Sequence, residues 1–202
     1  MRVAILISLV ALGLAATGAR AGDALVPCEV ESHAGYLVPV SYAEAHRADI
    51  AATLPDGAKV DGFWPVSEQI AIVADRNLRE TLEDAVKDPT LLFPDLTPGG
   101  DVNLRDSLEF QVKEVALILA HYGAYHRQYV GLIIEGRQEV LLNYAVGAQL
   151  DPAKGFLFIH RIFEPRKMCF LQCRFDWGYR RISNVAFYGT WQDLLKMKAW
   201  TN

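Results

Sequence analysis

The segment "YHRQYVG", from Tyr125 to Gly131, places an imidazole, a guanidinium, an amide and two phenols directly before the apolar run "LII". These groups suit the binding of a polar ligand, because the guanidinium offers five donors in a fixed plane and the amide both donates and accepts. His126 could also act as a general base, since an imidazole titrates near neutral pH. The segment is therefore the first candidate for chemistry.

This segment is predicted to form the first strand of a β-hairpin. Glu135 and Gly136 separate two runs of alternating polarity, and a two-residue loop that ends in Gly is a strong hairpin signal. The turn fixes the register of the two strands, which places Gln128 opposite Asn143. It also places Arg127 opposite Tyr144.

The predicted register divides the polar residues between the two faces of the hairpin. One face carries His126, Gln128 and Asn143, and the other carries Tyr125, Arg127, Tyr129 and Tyr144. A structural interpretation is an amide pair across the strands, with an arginine stacked on tyrosine rings. A functional interpretation is a polar pocket in an apolar wall, in which these seven residues bind a ligand.

No motif in the sequence predicts a catalytic residue, a metal site or a cofactor. The five histidines have no metal-binding spacing, and neither G-x-S-x-G nor a phosphate-binding glycine loop occurs. A hydrolase that uses His126 as its general base is an alternative. It requires an acidic partner that orients the imidazole.

The amino-terminal residues predict export. A single Arg, an apolar run and small residues that end in "ARA" are typical of a signal peptide cleaved after Ala21, and the run is shorter than the roughly 20 residues that span a bilayer. We therefore expect residues 1–21 to be removed and residues 22–202 to form a single soluble domain in the periplasm or outside the cell. A lipid anchor at Cys28 is the alternative, but Pro27 stands where a small residue is usual.

The net charge of −4 becomes −6 when residues 1–21, with two arginines and no acid, are removed. An acidic chain argues against a nucleic-acid partner.

The order of elements predicts an α+β fold. Helical spacing precedes residue 123, with a short helix near Ser41, a longer one capped by Ser67, and a third over about residues 103–122. After residue 123 the spacing becomes that of strands, including "GFLFIHRIF", "KMCFLQCRF" and "RRISNVAFY". The expectation is two or three N-terminal helices packed on a four- to five-stranded antiparallel β-meander.

The three cysteines predict a disulfide, because exported cysteines usually oxidise. Cys169 and Cys173 lie four residues apart on one strand, about 13 Å at the usual rise, which is too far for a bond between them. Cys28 is therefore the expected partner of one of them, and Cys169 is favoured over Cys173.

Three segments carry a resemblance to a known group: "GFWPVSEQI", "YHRQYVGLIIEGRQEVLLN" and "CFLQCRFD". They resemble an uncharacterised family of exported bacterial proteins with a Tyr-x-Arg-Gln-Tyr-x-Gly strand motif, over roughly residues 62–189. The chain departs from that family in having His126 where an Arg is usual, and in lacking an Asp-Gly-Gly before the later strand. The resemblance implies export and a fold of helices on a sheet, but no activity.

Together these features predict an exported, non-enzymatic module that binds a small ligand, an envelope component or another periplasmic protein. The sequence shows no reactive group with an activating partner, and this favours a binding module over a hydrolase that uses His126.

Overall fold

The structure is a computed structural model that describes residues 24–54, 56–93, 108–147, 155 and 168–200. The helices are α1 (Val40–Ala45), α2 (Arg47–Ala52), α3 (Glu68–Lys87), α4 (Leu108–Ala120) and α5 (Trp191–Trp200). The strands are β1 (Val26–Val30), β2 (His33–Leu37), β3 (Gly62–Phe63), β4 (His126–Ile134), β5 (Arg137–Gly147), β6 (Met168–Asp176) and β7 (Arg181–Tyr188). The predicted signal peptide and the predicted strand "GFLFIHRIF", apart from Gly155, lie outside the described residues.

The hairpin of β4 and β5 forms as predicted. Glu135 and Gly136 both adopt positive φ, at 51° and 75°, as a two-residue turn of the primed type requires. The register pairs Gln128 with Asn143 and Arg127 with Tyr144. The sequence prediction of which residues lie opposite each other is thus confirmed.

The strands form one mixed sheet in the order β1-β2-β4-β5-β6-β7, and this corrects the predicted architecture. β2 runs parallel to the first half of β4, and the short β3 pairs with its second half. The described residues thus form seven strands and five α-helices, with two strands ahead of every helix. The prediction of N-terminal helices on a four- to five-stranded antiparallel meander is wrong, although helices do pack on a sheet.

The architecture was predicted wrongly because the sequence signals for β1 and β2 are weak. β1 and β2 form a hairpin whose turn residues, Glu31 and Ser32, have φ values of 49° and 67° without the Gly or Asn that usually marks such a turn. Pro27 and Gly35 further weaken the strand signal, because both residues are rare inside strands. The parallel pairing to β4 joins segments about ninety positions apart, and no local pattern encodes it.

Helices cover both faces of the sheet. α3 begins at Ser67, whose hydroxyl accepts a hydrogen bond from the backbone N–H of Ile70, as the sequence predicts. Its stripe of Ala71, Ala74, Leu78 and Leu82 is fully buried against what we call the α3 face of the sheet. Ile50 of α2 packs with Val130, Leu132 and Leu141 on the opposite side, which we call the α2 face.

The predicted bond between Cys28 and Cys169 does not form, and all three cysteines are free thiols. Cys28 lies on β1 and Cys169 on β6, with β2, β4 and β5 between them. Four strand spacings amount to about 19 Å, whereas a disulfide needs Cα atoms within about 7 Å. Burial, together with Glu68, raises the pKa of the Cys28 thiol to about 11, which further disfavours the reactive thiolate.

Within the described residues, none of the helices has the length and apolar character needed to cross a membrane.

The close approach of β3 to β4 yields a stability prediction. A Cβ atom at Gly131 would lie 2.1 Å from the backbone oxygen of Trp64, and neither strand can move aside without breaking the sheet. Gly131→Ala is expected to lower the free energy of unfolding by about 3 kcal/mol, the upper end of ordinary overpacking. Urea denaturation measures the change. Gly62→Ala is the control, because its Cβ meets only Ile133 at 3.4 Å; equal effects in the two variants would contradict the assignment.

Candidate functional site

The residues singled out in the sequence are brought together, but they are buried in the sheet. Tyr125, Arg127, Gln128, Tyr129, Asn143 and Tyr144 are each at most 3% exposed. They are divided between the two faces as the register predicts. The two faces of the sheet therefore carry two separate polar clusters.

On the α3 face, the carboxylate of Asp75 is the centre of a buried network. Asp75 lies on α3 and is 1% exposed. Its Oδ1 atom accepts hydrogen bonds from the hydroxyls of Tyr129, at 3.3 Å, Tyr122, at 3.3 Å, and Tyr144. Arg127 supplies the countercharge, with its Nε 3.3 Å from the same oxygen.

Arg127 is held by its other neighbours as well. Its Nη2 donates to the backbone oxygen of Tyr122 at 2.7 Å, and its guanidinium carbon lies 4.9 Å and 5.4 Å from the ring centroids of Tyr122 and Tyr144. The predicted stacking of Arg127 on tyrosine therefore occurs with Tyr144, but with Tyr122 rather than Tyr125 or Tyr129. Tyr125 instead accepts a hydrogen bond at 2.8 Å from the indole of Trp191 on α5.

The tyrosines of this network act as hydrogen-bond donors. Burial first, and then the neighbouring tyrosines and Asp75, raise the pKa of Tyr144 well above its usual value. Burial and Asp75 do the same to the pKa values of Tyr122 and Tyr129. All three hydroxyls therefore keep their protons and can donate to the carboxylate.

Sequence reasoning missed Asp75 and Tyr122, although the signal for Asp75 was present. The α3 stripe places Asp75 four residues after Ala71 and three before Leu78, which is the apolar side of the helix. A lone acidic residue on that side needs a buried partner.

On the α2 face, three amides form a hydrogen-bonded row across β4, β5 and β6. Asn143 Nδ2 donates to Gln128 Oε1 at 3.2 Å, which confirms the predicted pair. Gln172 Nε2 donates to Asn143 Oδ1 at 2.7 Å, and Gln128 Nε2 donates to the carbonyl of Gly155 at 2.8 Å. Gln172 was missed, although it is a polar residue within the apolar run "CFLQCRF".

His126 stands at the beginning of β4, is half-buried, and pairs with Ala145. Its use as a general base stays a prediction. Among the described residues, no cluster of three or more His, Cys, Asp or Glu side chains could hold a metal ion.

A second polar region lies at the turn end of β5, β6 and β7, where the side chains form an open cavity of about 720 Å³. We call it the β5–β7 cavity. Its lining consists of Arg137, Glu139, Arg174, Asp176, Tyr179, Arg181, Ser183 and Asn184. The lining has three arginines and two acids, and the Asp56 carboxylate on Arg174 brings the formal charge of the cavity to zero.

Arg174 lines the β5–β7 cavity and is only 6% exposed. Its Nη2 donates to the Asp56 carboxylate at 2.7 Å, and its Nε lies 3.3 Å from Glu139 Oε2. Its Nη1 is buried and has no hydrogen-bond partner within the part of the chain that the structure describes. Sequence reasoning did not select this residue, because an Arg in an alternating strand is ordinarily exposed.

Comparisons with protein-family models, with curated proteins and with solved structures found no match. The resemblance to the exported family therefore stays a prediction.

The Asp75 network predicts a large stability effect. Asp75→Asn leaves the charge of Arg127 buried without a counterion, so the free energy of unfolding should fall by about 3–5 kcal/mol. Urea denaturation measures it. Glu83→Gln on the exposed side of the same helix, where Glu83 pairs with Arg79, should change little. A loss below about 1 kcal/mol for Asp75→Asn would contradict a buried ion pair.

The amide row predicts a smaller effect that separates structure from ligand binding. Gln128→Ala removes the acceptor of Asn143 and the donor of Gly155, which should cost about 1–3 kcal/mol. The exposed Gln138→Ala on β5 is the control. An unchanged melting temperature for Gln128→Ala, with loss of a bound molecule, would instead indicate that the row is a ligand site.

Proposed function

We propose that this chain is an exported, non-enzymatic binding protein and that the β5–β7 cavity holds the anionic group of a small ligand. The signal-peptide pattern of residues 1–21 supports export. The single observation that carries the binding proposal is Arg174, a buried arginine that lines an open cavity and has an unpartnered Nη1.

An unpartnered charged donor is costly in a protein interior. A guanidinium carries two N–H groups on each Nη atom, and burying a charged donor without an acceptor costs more than burying a neutral one. A ligand oxygen placed against Nη1 recovers this cost. The energetic gain is therefore specific to a ligand that brings an acceptor, above all an anionic one.

The chain already places a carboxylate against this donor set. Asp56, in the connection between α2 and β3, accepts from Arg174 Nη2 at 2.7 Å and from Asn184 Nδ2 at 3.1 Å. The Asp56 side chain is 35% exposed, so it can be displaced without unpacking the core. A ligand anion that replaces Asp56 would accept hydrogen bonds from both Arg174 and Asn184.

The charge distribution favours the same class of ligand. Arg181 is exposed at the rim of the cavity and makes no ion pair with any described residue, whereas Arg137 pairs with Glu135 at 3.2 Å. Once Asp56 is displaced, three arginines face two acids, and a positive concavity concentrates small anions locally. These observations support the binding of a small anion.

The test is a nuclear magnetic resonance titration of the mature chain with acetate, succinate and inorganic phosphate. At least one anion should shift the Arg174 and Asn184 side-chain signals, and Arg174→Lys should weaken its binding about tenfold or more, because Lys lacks the planar fork. Asp56→Asn should strengthen binding by removing the internal competitor.

The control is Arg79→Lys, an exposed arginine on α3 that pairs only with Glu83 among the described residues. Binding that is equally weakened in Arg79→Lys would reveal a general charge effect. Failure of all three anions to shift Arg174 would contradict the proposal.

A further inference from the structure

Tyr179 presents an exposed aromatic ring to the β5–β7 cavity. It belongs to the turn between β6 and β7, lines the cavity and is 77% exposed. This is the highest exposure of any large apolar side chain in the part of the chain that the structure describes. A ring left in water forgoes the free energy that its burial would give. A ligand in the adjoining cavity would recover part of that free energy by packing on the ring.

The turn fixes the backbone that carries this ring. Asp176 Oδ1 accepts hydrogen bonds from the backbone N–H groups of Gly178 at 2.9 Å and Tyr179 at 3.0 Å. On the other side, Arg180 has a φ of 55°, and its guanidinium carbon lies 3.5 Å from the ring centroid of Trp177. A Tyr side chain has only two rotatable bonds to order when a ligand binds. The ring of Tyr179 is therefore a contact surface whose ordering costs little entropy.

The acids of the cavity already have cationic neighbours. Glu139 Oε2 lies 3.3 Å from Arg174 Nε, and Asp176 Oδ2 lies 3.9 Å from Arg137 Nη1. Arg181 is the cross-strand partner of Asp176 on the other side. The charges of the lining therefore call for no cation on the ligand, and the part of the ligand outside its anionic group should be uncharged.

The exposed arginines favour an aromatic ring over an aliphatic one. Guanidinium planes stack on the faces of aromatic rings, as Arg180 does on Trp177 in the same turn. Arg137 and Arg181 line the same cavity as Tyr179. An aromatic ring in the cavity can contact both the phenol and a guanidinium, whereas an aliphatic ring gains only the apolar contact.

The strand geometry limits the length of such a ligand. Arg174 and Asp176 are two positions apart on β6, which corresponds to about 6.6 Å, and Tyr179 follows in the turn just beyond. A carboxylate against Arg174 and a ring against Tyr179 are therefore separated by a short spacer of a few bonds.

We propose that the ligand of the β5–β7 cavity is an aromatic carboxylate. Its carboxylate replaces Asp56 against Arg174 and Asn184, and its ring packs on Tyr179. This inference rests on the proposed binding function and names the chemistry of its ligand. The exposed ring of Tyr179 is an observation separate from the buried arginine that calls for the anion.

The experiment is a nuclear magnetic resonance titration of the mature chain with benzoate, phenylacetate and 3-phenylpropionate, which differ only in spacer length. Acetate is the probe without a ring, and the cyclohexyl counterpart of the tightest aromatic acid is the probe with an aliphatic ring. That aromatic acid should bind about tenfold or more tightly than acetate, because it adds the contacts of a ring. It should also bind more tightly than its cyclohexyl counterpart.

Tyr179→Ala tests the ring contact. The variant should reduce the preference for the aromatic acid over acetate by about tenfold, since it removes the aromatic partner. Tyr179→Phe keeps the ring and should keep the preference. Val26→Ala is the control, because Val26 is a 48% exposed apolar side chain on β1, at the opposite end of the strand order, and its loss should leave the preference unchanged.

The outcomes separate this inference from the one it rests on. If acetate and the aromatic acids bind equally in the wild-type chain and both depend on Arg174, the aromatic inference is overturned and the anion site stands. A preference that persists in Tyr179→Ala, or equal binding of the cyclohexyl acid, also overturns the aromatic inference alone. If none of the probes shifts the Arg174 signals, both proposals are overturned.

Discussion

The buried carboxylate of Asp75 is the interaction on which the arrangement of this fold depends. Asp75 belongs to α3, whereas its partners belong to β4, to β5 and to the turn after α4. A buried carboxylate in this position is stable only if its countercharge and its hydrogen-bond donors all contact it in the folded state. These contacts therefore fix both the rotation of α3 about its axis and its position along the sheet.

Such a network specifies a structure more than it stabilises it. Replacing a buried ion pair with well-packed apolar residues is often neutral or favourable, so Asp75 and Arg127 need not add net stability over an apolar core. They do penalise alternatives: a slip of one residue between β4 and β5 would turn Arg127 to the α2 face. The same slip would separate Gln128 from Asn143 on the opposite face. Both faces thus enforce a single register.

The parts of the structure that local patterns encode were predictable from the sequence. The turn at Glu135 and Gly136, the Ser67 cap and the pairing of Gln128 with Asn143 follow from spacing alone. The parallel pairing of β2, the hairpin of β1 and β2, and hence the separation of Cys28 from Cys169, depend on contacts between distant segments. The same limit applies to the β5–β7 cavity, because Asp56 and Arg174 are 118 residues apart in the chain.

The exposure of the internal partners distinguishes the centre of the sheet from its turn end. At the centre of the sheet, Asp75, Gln128 and Asn143 are buried, and each is hydrogen-bonded to other residues of the fold. At the turn end, the shortest hydrogen bond of Arg174 is to Asp56, whose side chain is 35% exposed and comes from another segment. A site that must exchange ligands needs polar groups whose internal partners are adequate but replaceable. The residues that look most reactive in the sequence are buried within the sheet, while those at its turn end form the site that we propose for a ligand.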